Sequence, residues 1–133
     1  MFFFNHKMKK LFILLVIGII SSLQTLSWSV EPDKDLLNKS IKGKVVCVTG
    51  AGGSIGSELC KQITQLNPLK IVLIDNHEHS LYKIDNELKA YLEKDKLKIN
   101  TNIKVLPLLG NLLDKQFVLN AFKNHNINIV FHS

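Results

Sequence analysis

An α/β domain, the first half of a doubly wound parallel sheet, is predicted by three observations. Four short apolar runs alternate with three longer segments of helical period. The runs are continuously apolar, as in strands covered on both faces, rather than alternating. A glycine-rich turn, Gly50-Ala51-Gly52-Gly53-Ser54-Ile55-Gly56, joins the first run to the first helical segment.

The elements follow in order from residue 44. "VVCV" (45–48) is the first strand. Ile55, Leu59, Ile63 and Leu66 recur at helical spacing, and Asn67-Pro68 stops that helix. "IVLI" (71–74) is the second strand, and Leu81, Ile84, Leu88 and Leu92 mark the second helix. "KDKLKINTN" (94–102) is a polar connection. "IKVLPLL" (103–109) is the third strand, where Pro107 marks its end or an edge position. Val118, Ala121 and Phe122 mark a third helix, and "INIVF" (127–131) a fourth strand, expected beside the first. Strand–helix alternation of this kind makes a parallel sheet with right-handed crossovers. No repeat at solenoid periods interrupts it.

Before this domain the chain has a different character. Residues 11–30 carry no charge and follow Lys7, Lys9 and Lys10. The expected division is a hydrophobic segment over 1–30, a linker or short amphipathic lead-in over 31–43, and the sheet domain over 44–133. Two readings of the first segment stay open. As a membrane anchor, its 20 residues just span a bilayer, with Trp28 in the interfacial belt. As a secretory signal, Ser27 and Ser29 offer small residues before a cleavage. Lysines on both sides leave the orientation undecided. A cofactor site belonging to the cytosol favours the anchor, with the domain on the cytoplasmic side and secretion as the alternative.

Composition removes several function classes. The net charge is +6, but all 17 basic residues are lysine. Bidentate reading of guanine and phosphate is chiefly arginine chemistry, so nucleic acid is not an expected partner. Cys47 and Cys60 form no CxxC pair and read as small buried apolar residues. His77-Glu78-His79 lacks the third and fourth ligands of a zinc site and reads as a solvated turn.

The glycines state what the turn is for. Gly50 reverses the chain at the strand end, Gly53 admits a ligand close to backbone, and Gly56 lets the helix approach the strand. A helix amino terminus there offers free amides and a positive dipole end, which suit a pyrophosphate. No lysine follows as in a nucleoside-triphosphate loop. Asp75 ends the second strand, where a carboxylate accepts from adenosine ribose hydroxyls and repels a 2′-phosphate. The reading is a Rossmann dinucleotide site for NAD, with NADP the weaker candidate.

These residues also resemble a known family. "VTGAGGSIGSELC" (48–60) matches the glycine fingerprint of extended short-chain dehydrogenases. Together with "IDNHEHSLYKIDNEL" and "INIVFHS", it is similar to the CapD-like polysaccharide-biosynthesis proteins. Ser80-Leu81-Tyr82 is the more specific part. The resemblance implies a nucleotide-sugar 4,6-dehydratase or epimerase, acting for example on UDP-N-acetylglucosamine. It places Gly50, Gly53, Ser54, Ile55 and Gly56 at the pyrophosphate, Asp75 at the ribose, and Asn111 with Leu112 at the adenine. The family usually has aspartate where this chain has Asn111, which accepts the adenine amino group without charge.

The family's Tyr-x-x-x-Lys pair has no counterpart in residues 1–133: Asn86 and Asp95 stand four residues after Tyr82 and Tyr91. No catalytic residue or metal ligand is therefore assigned. The expectation is the cofactor-binding portion of an enzyme, inactive and poorly stable alone, with an apolar edge at its fourth strand. A downstream polypeptide would complete it. Alternatives are a non-catalytic dinucleotide-binding module or partner subunit, and a small secreted protein.

Overall fold

The structure is a computed structural model that describes residues 34–94 and 102–133. The chain divides into two compact units, Met1–Lys39 and Ser40–Ser133. Of the first, only residues 34–39 are described; the uncharged run 11–30 lies outside the described residues. Part of the expected linker is helical, α1 (Lys34–Ile41). Leu37 and Ile41 stand four apart on it, the spacing of one helix side.

The second unit has the expected alternation: β1 (Val45–Thr49), α2 (Ser54–Gln65), β2 (Lys70–Asp75), α3 (Glu78–Lys94), β3 (Lys104–Leu109), α4 (Lys115–His125) and β4 (Ile129–His132). The four strands form one parallel sheet in the order β3-β2-β1-β4. β4 lies beside β1, in the register Val46↔Ile129 to Thr49↔His132. β3 is at the other edge, so Pro107 sits inside an edge strand. Proline has no N–H to donate, which an edge strand, paired on one side only, tolerates.

The alternating side chains of β1 and β2 divide the core in two. Val45, Cys47, Val72 and Ile74 cluster with Ala121 of α4, and Leu106, Leu108, Phe117, Ile127 and Val130 pack around them half-buried. Val46, Val48, Ile71 and Leu73 are equally buried on the opposite face. α2 and α3 lie side by side, joined by a Lys61–Glu87 ion pair of 2.9 Å and a bond from Gln65 Nε2 to the Tyr91 hydroxyl of 3.3 Å. Helices on both faces explain why these strands read as unbroken apolar runs.

Two sequence expectations shift. The inner face of α2 is Gly56, Leu59, Cys60, Ile63 and Thr64, whereas Ile55 is 50% exposed. Leu59 and Ile63 lie on that face as the spacing predicts, but Ile55 does not, and the smaller Gly56, Cys60 and Thr64 complete it. The fourth strand begins at Ile129 rather than Ile127. Asn126 closes α4 in the left-handed region, with φ 53°. Asn128 then exchanges bonds with Val45: its N–H donates to the Val45 carbonyl, and its Oδ1 accepts from Val45 N, both at 2.9 Å.

Both cysteines are fully buried, and burial pushes each thiol from 9.0 up to about 12. The neutral thiol is favoured in the folded chain. The unfolded thiols ionise from pH 9.0 upward while the folded ones stay neutral until about 12. This contribution to stability is therefore complete below pH 9.0 and is lost as pH rises toward 12. Native protein at mildly alkaline pH should react with a thiol reagent only as fast as it opens, and at once in denaturant. Rapid labelling of either cysteine in the folded chain would contradict the packing.

Candidate functional site

The carboxyl ends of β1, β2 and β3 point to one edge of the sheet, and the loops that leave them build the site. After β1 the chain reverses at Gly50, whose φ is 64°. A β-carbon at Gly50 would also stand 2.6 Å from the Ser133 carbonyl oxygen. At Gly56 a β-carbon would collide with the Gly50 carbonyl, so the first turn of α2 rests directly on the strand end. Both glycines are demanded by the fold itself.

Gly53 differs. Its φ of −71° suits any residue, and a β-carbon there would meet only the Gly50 oxygen, at 3.3 Å. Gly53 caps α2 without a side chain, and the first turn holds no acidic residue. The amides of Ser54, Ile55 and Gly56 therefore open the helix with no side-chain cap on them.

The preceding turn amides are already engaged. Ala51 N donates to the Ile74 carbonyl at 3.2 Å, and Gly53 N to the Gly50 carbonyl at 3.1 Å. Gly52 N donates to Asp75 Oδ2 at 2.8 Å, while Asp75 Oδ1 accepts from His77 N at 2.9 Å. A carboxylate has about four lone-pair positions, so two remain for a ligand.

Two cavities meet here. One, of about 510 Å³, is lined by the glycine turn from Gly50 to Gly56 and by Asp75, His77, Ser80 and Ser133. The other, of about 150 Å³, lies between Asp75, Asn76, Gly110, Asn111 and Leu112. Gly50, Asp75 and Ser133 border both. All eight residues singled out from the sequence thus line one or the other. Gly52, His77, Ser80 and Ser133 were missed. Gly52 was legible as a fourth glycine in the turn; the other three meet it only through the fold.

Asn111 opens the loop to α4. Its Oδ1 accepts from Leu113 N at 2.9 Å, and Asp114 caps α4 by accepting from Gln116 N at 2.9 Å and Phe117 N at 3.1 Å. Gly110 lies against the far end of the Phe117 ring, where a β-carbon has no space. His77 lies in the β2–α3 loop, and Glu78 and His79 open α3 rather than forming a turn. Among the described residues no group of three or more metal-ligating side chains converges. A third cavity, of about 540 Å³, sits between α3 and β3 around Leu81, Tyr82, Pro107 and Leu109. It is bordered by side chains of a helix and an edge strand rather than by a glycine turn.

The fold and the site define a Rossmann-type domain with a glycine turn at its first strand. Xylitol dehydrogenase with bound NAD⁺ has this fold: it aligns over 68% of this chain and 33% of its own, with a TM-score of 0.53 and 20% identity. Residues 46–133 match the family described as polysaccharide biosynthesis protein, and the chain belongs to that family. It is 34% identical over 105 residues to the capsular polysaccharide biosynthesis protein CapD of Staphylococcus aureus. It is 35% identical over 104 residues to the probable polysaccharide biosynthesis protein EpsC of Bacillus subtilis. Each alignment takes 78% of this chain and 16% of the relative, so the chain spans about a sixth of their length.

The close seat of α2 on Gly50 is testable. Gly56→Ala forces the helix away from the strand end and is expected to cost about 1–3 kcal/mol, the range for overpacking. Urea unfolding reads it. An unchanged midpoint would mean that the contact is looser than described.

Proposed function

We propose that this chain is the NAD-binding portion of a nucleotide-sugar 4,6-dehydratase or epimerase of polysaccharide biosynthesis, with NADP the weaker candidate cofactor. Family membership supports the pathway. The site supports the cofactor. The amides of Ser54, Ile55 and Gly56 receive the pyrophosphate across Gly50 and Gly53. Asp75 accepts from the ribose hydroxyls with its remaining lone pairs. The adenine enters the smaller cavity beside Leu112, where Asn111 Oδ1 offers its second lone pair. Gly53 carries the reading: its backbone suits any residue and a β-carbon there meets one close neighbour, the Gly50 oxygen at 3.3 Å, so the fold demands a glycine far less than at Gly50 or Gly56, while a ligand lying on the helix end does demand it.

The chemistry the family implies is hydride exchange with the nicotinamide, which the cofactor supplies when bound. Residues 1–133 hold it and contribute no proton-transferring pair, since Tyr-x-x-x-Lys is absent from them. On this reading the nucleotide sugar, of the UDP-N-acetylglucosamine type, meets its acid and base on a further polypeptide segment. The absence of that pair from these residues also favours a second reading, a dinucleotide-binding partner subunit. Adding a downstream segment and restoring turnover separates the two.

Titration of NAD into the full chain tests the site. Gly53→Ala should leave the unfolding midpoint within about 1 kcal/mol of the parent and Gly53→Val slightly lower, since the Gly50 oxygen need shift by only a few tenths of an ångström. Both should weaken NAD binding by about tenfold or more, the cost of holding a phosphate off its amides. Unchanged affinity in both variants would refute the proposed pose.

Membrane attachment through residues 11–30 belongs to the same reading, with the domain on the cytoplasmic side. Among the described residues no helix is long and apolar enough to cross a membrane. The expected result is that the chain stays with membranes through an alkaline carbonate wash. Release of a processed chain into the medium would favour secretion instead.

A further inference from the structure

We propose that Asp75 has a second role: it is the latch that holds the glycine turn in its anion-receiving shape before any ligand arrives. The inference rests on the dinucleotide reading for its consequence, though not for its geometry. Asp75 is a positioning residue here, acting through Gly52.

One carboxylate ties three segments together. Asp75 Oδ2 accepts from Gly52 N at 2.8 Å, across 23 residues of sequence. Its Oδ1 accepts from His77 N at 2.9 Å, on the loop into α3. The junction is tight as well as bonded. A β-carbon at Gly52 would stand 2.7 Å from the Ser80 carbonyl carbon and closer still to its β-carbon. Gly52 therefore lies directly against the first turn of α3. This contact accounts for Ser80, the small residue of the Ser80-Leu81-Tyr82 motif, while Leu81 is buried at 5% exposure. The turn hangs from the end of β2 by Ala51 N and Gly52 N, and is closed on itself by Gly53 N. Its own amides are thus consumed, and the three that open α2 are aimed by it.

Two physical effects of removing this carboxylate have opposite signs. Deleting a negative charge beside an anion site strengthens anion binding by relieving Coulomb repulsion. Releasing the turn weakens it, because donors held in place before binding cost less to order. A carboxylate that only gripped the ribose would show the first effect with an anion that has no ribose. The latch shows the second.

The experiment uses the full chain and inorganic pyrophosphate, which has neither ribose nor adenine. Calorimetric titration is combined with amide hydrogen exchange in the absence of any ligand, for the parent, Asp75→Ala and Asp75→Asn. In Asp75→Ala, exchange at Gly52 and His77 should rise by about tenfold or more, with Val46, Cys47 and Val48 unchanged, which separates local release from unfolding. Pyrophosphate affinity should fall by about fivefold, a modest loss of preorganisation. Asp75→Asn keeps one acceptor oxygen, so one of the two amides should stay protected and the affinity should lie between. Unchanged exchange at Gly52 and His77 in Asp75→Ala, or tighter pyrophosphate binding with the core intact, overturns the latch. If Asp75→Ala does not fold, full protection of both amides in Asp75→Asn overturns it equally. Raised exchange in a chain whose parent binds neither pyrophosphate nor NAD supports the latch and instead refutes the dinucleotide site.

Discussion

The Gly50 carbonyl lies so close to the start of α2 that position 56 has no space for a β-carbon. Most of the site depends on that contact. A helix seated directly on the strand end brings its first amides to the carboxyl edge of the sheet. A side chain at position 56 would lift it and carry the amides away. The chain pays for the geometry with a left-handed residue at Gly50, where a second obstacle, Ser133, also excludes a side chain. The tip of β4 thus braces the same turn. Ser133 Oγ donates to the Thr49 carbonyl at 3.0 Å, and Thr49 Oγ1 lies 2.6 Å from His132 Nδ1.

The sheet order explains why the site lies there. From β1 the chain moves outward through β2 to β3, then crosses back to place β4 on the other side of β1. The direction of winding reverses at β1, and the loops leaving β1 and β4 separate. Ligands of open parallel sheets bind in the crevice such a reversal leaves outside the strand ends. The glycine turn occupies that position, with Asp75 on one flank and Ser133 on the other.

The acidic tip of β2 illustrates how one residue serves fold and function together. A carboxylate accepts several hydrogen bonds, so Asp75 can bind two backbone amides and still face the cavity with free lone pairs. Asn111 is at a comparable strand tip with fewer means. Its side-chain oxygen already closes a turn onto Leu113, and its amide carries no charge to strengthen a second bond. The two ends of the proposed adenosine site are therefore unequal, with the firmer grip on the β2 side.

Much of this was legible in the sequence because it is local. Unbroken apolar runs, helical periods and glycines at a strand–helix junction are dictated by burial and backbone sterics over a few residues. They named the parallel sheet, the four strands, Asp75 and the turn. Contacts between distant segments decided the rest. Gly56 and Cys60 were legible as residues that approach the strand, but Ile55 read as core because its spacing fits, and only packing against β1 showed that it lies outside the inner face. Gly53 and Gly52 look alike in the chain. In the fold one lies at an open cleft, while the other is pressed on Ser80 and bound to Asp75. Periodicity reports which residues avoid water. Which two segments touch depends on chain closure over tens of residues, and only the tertiary structure settled that.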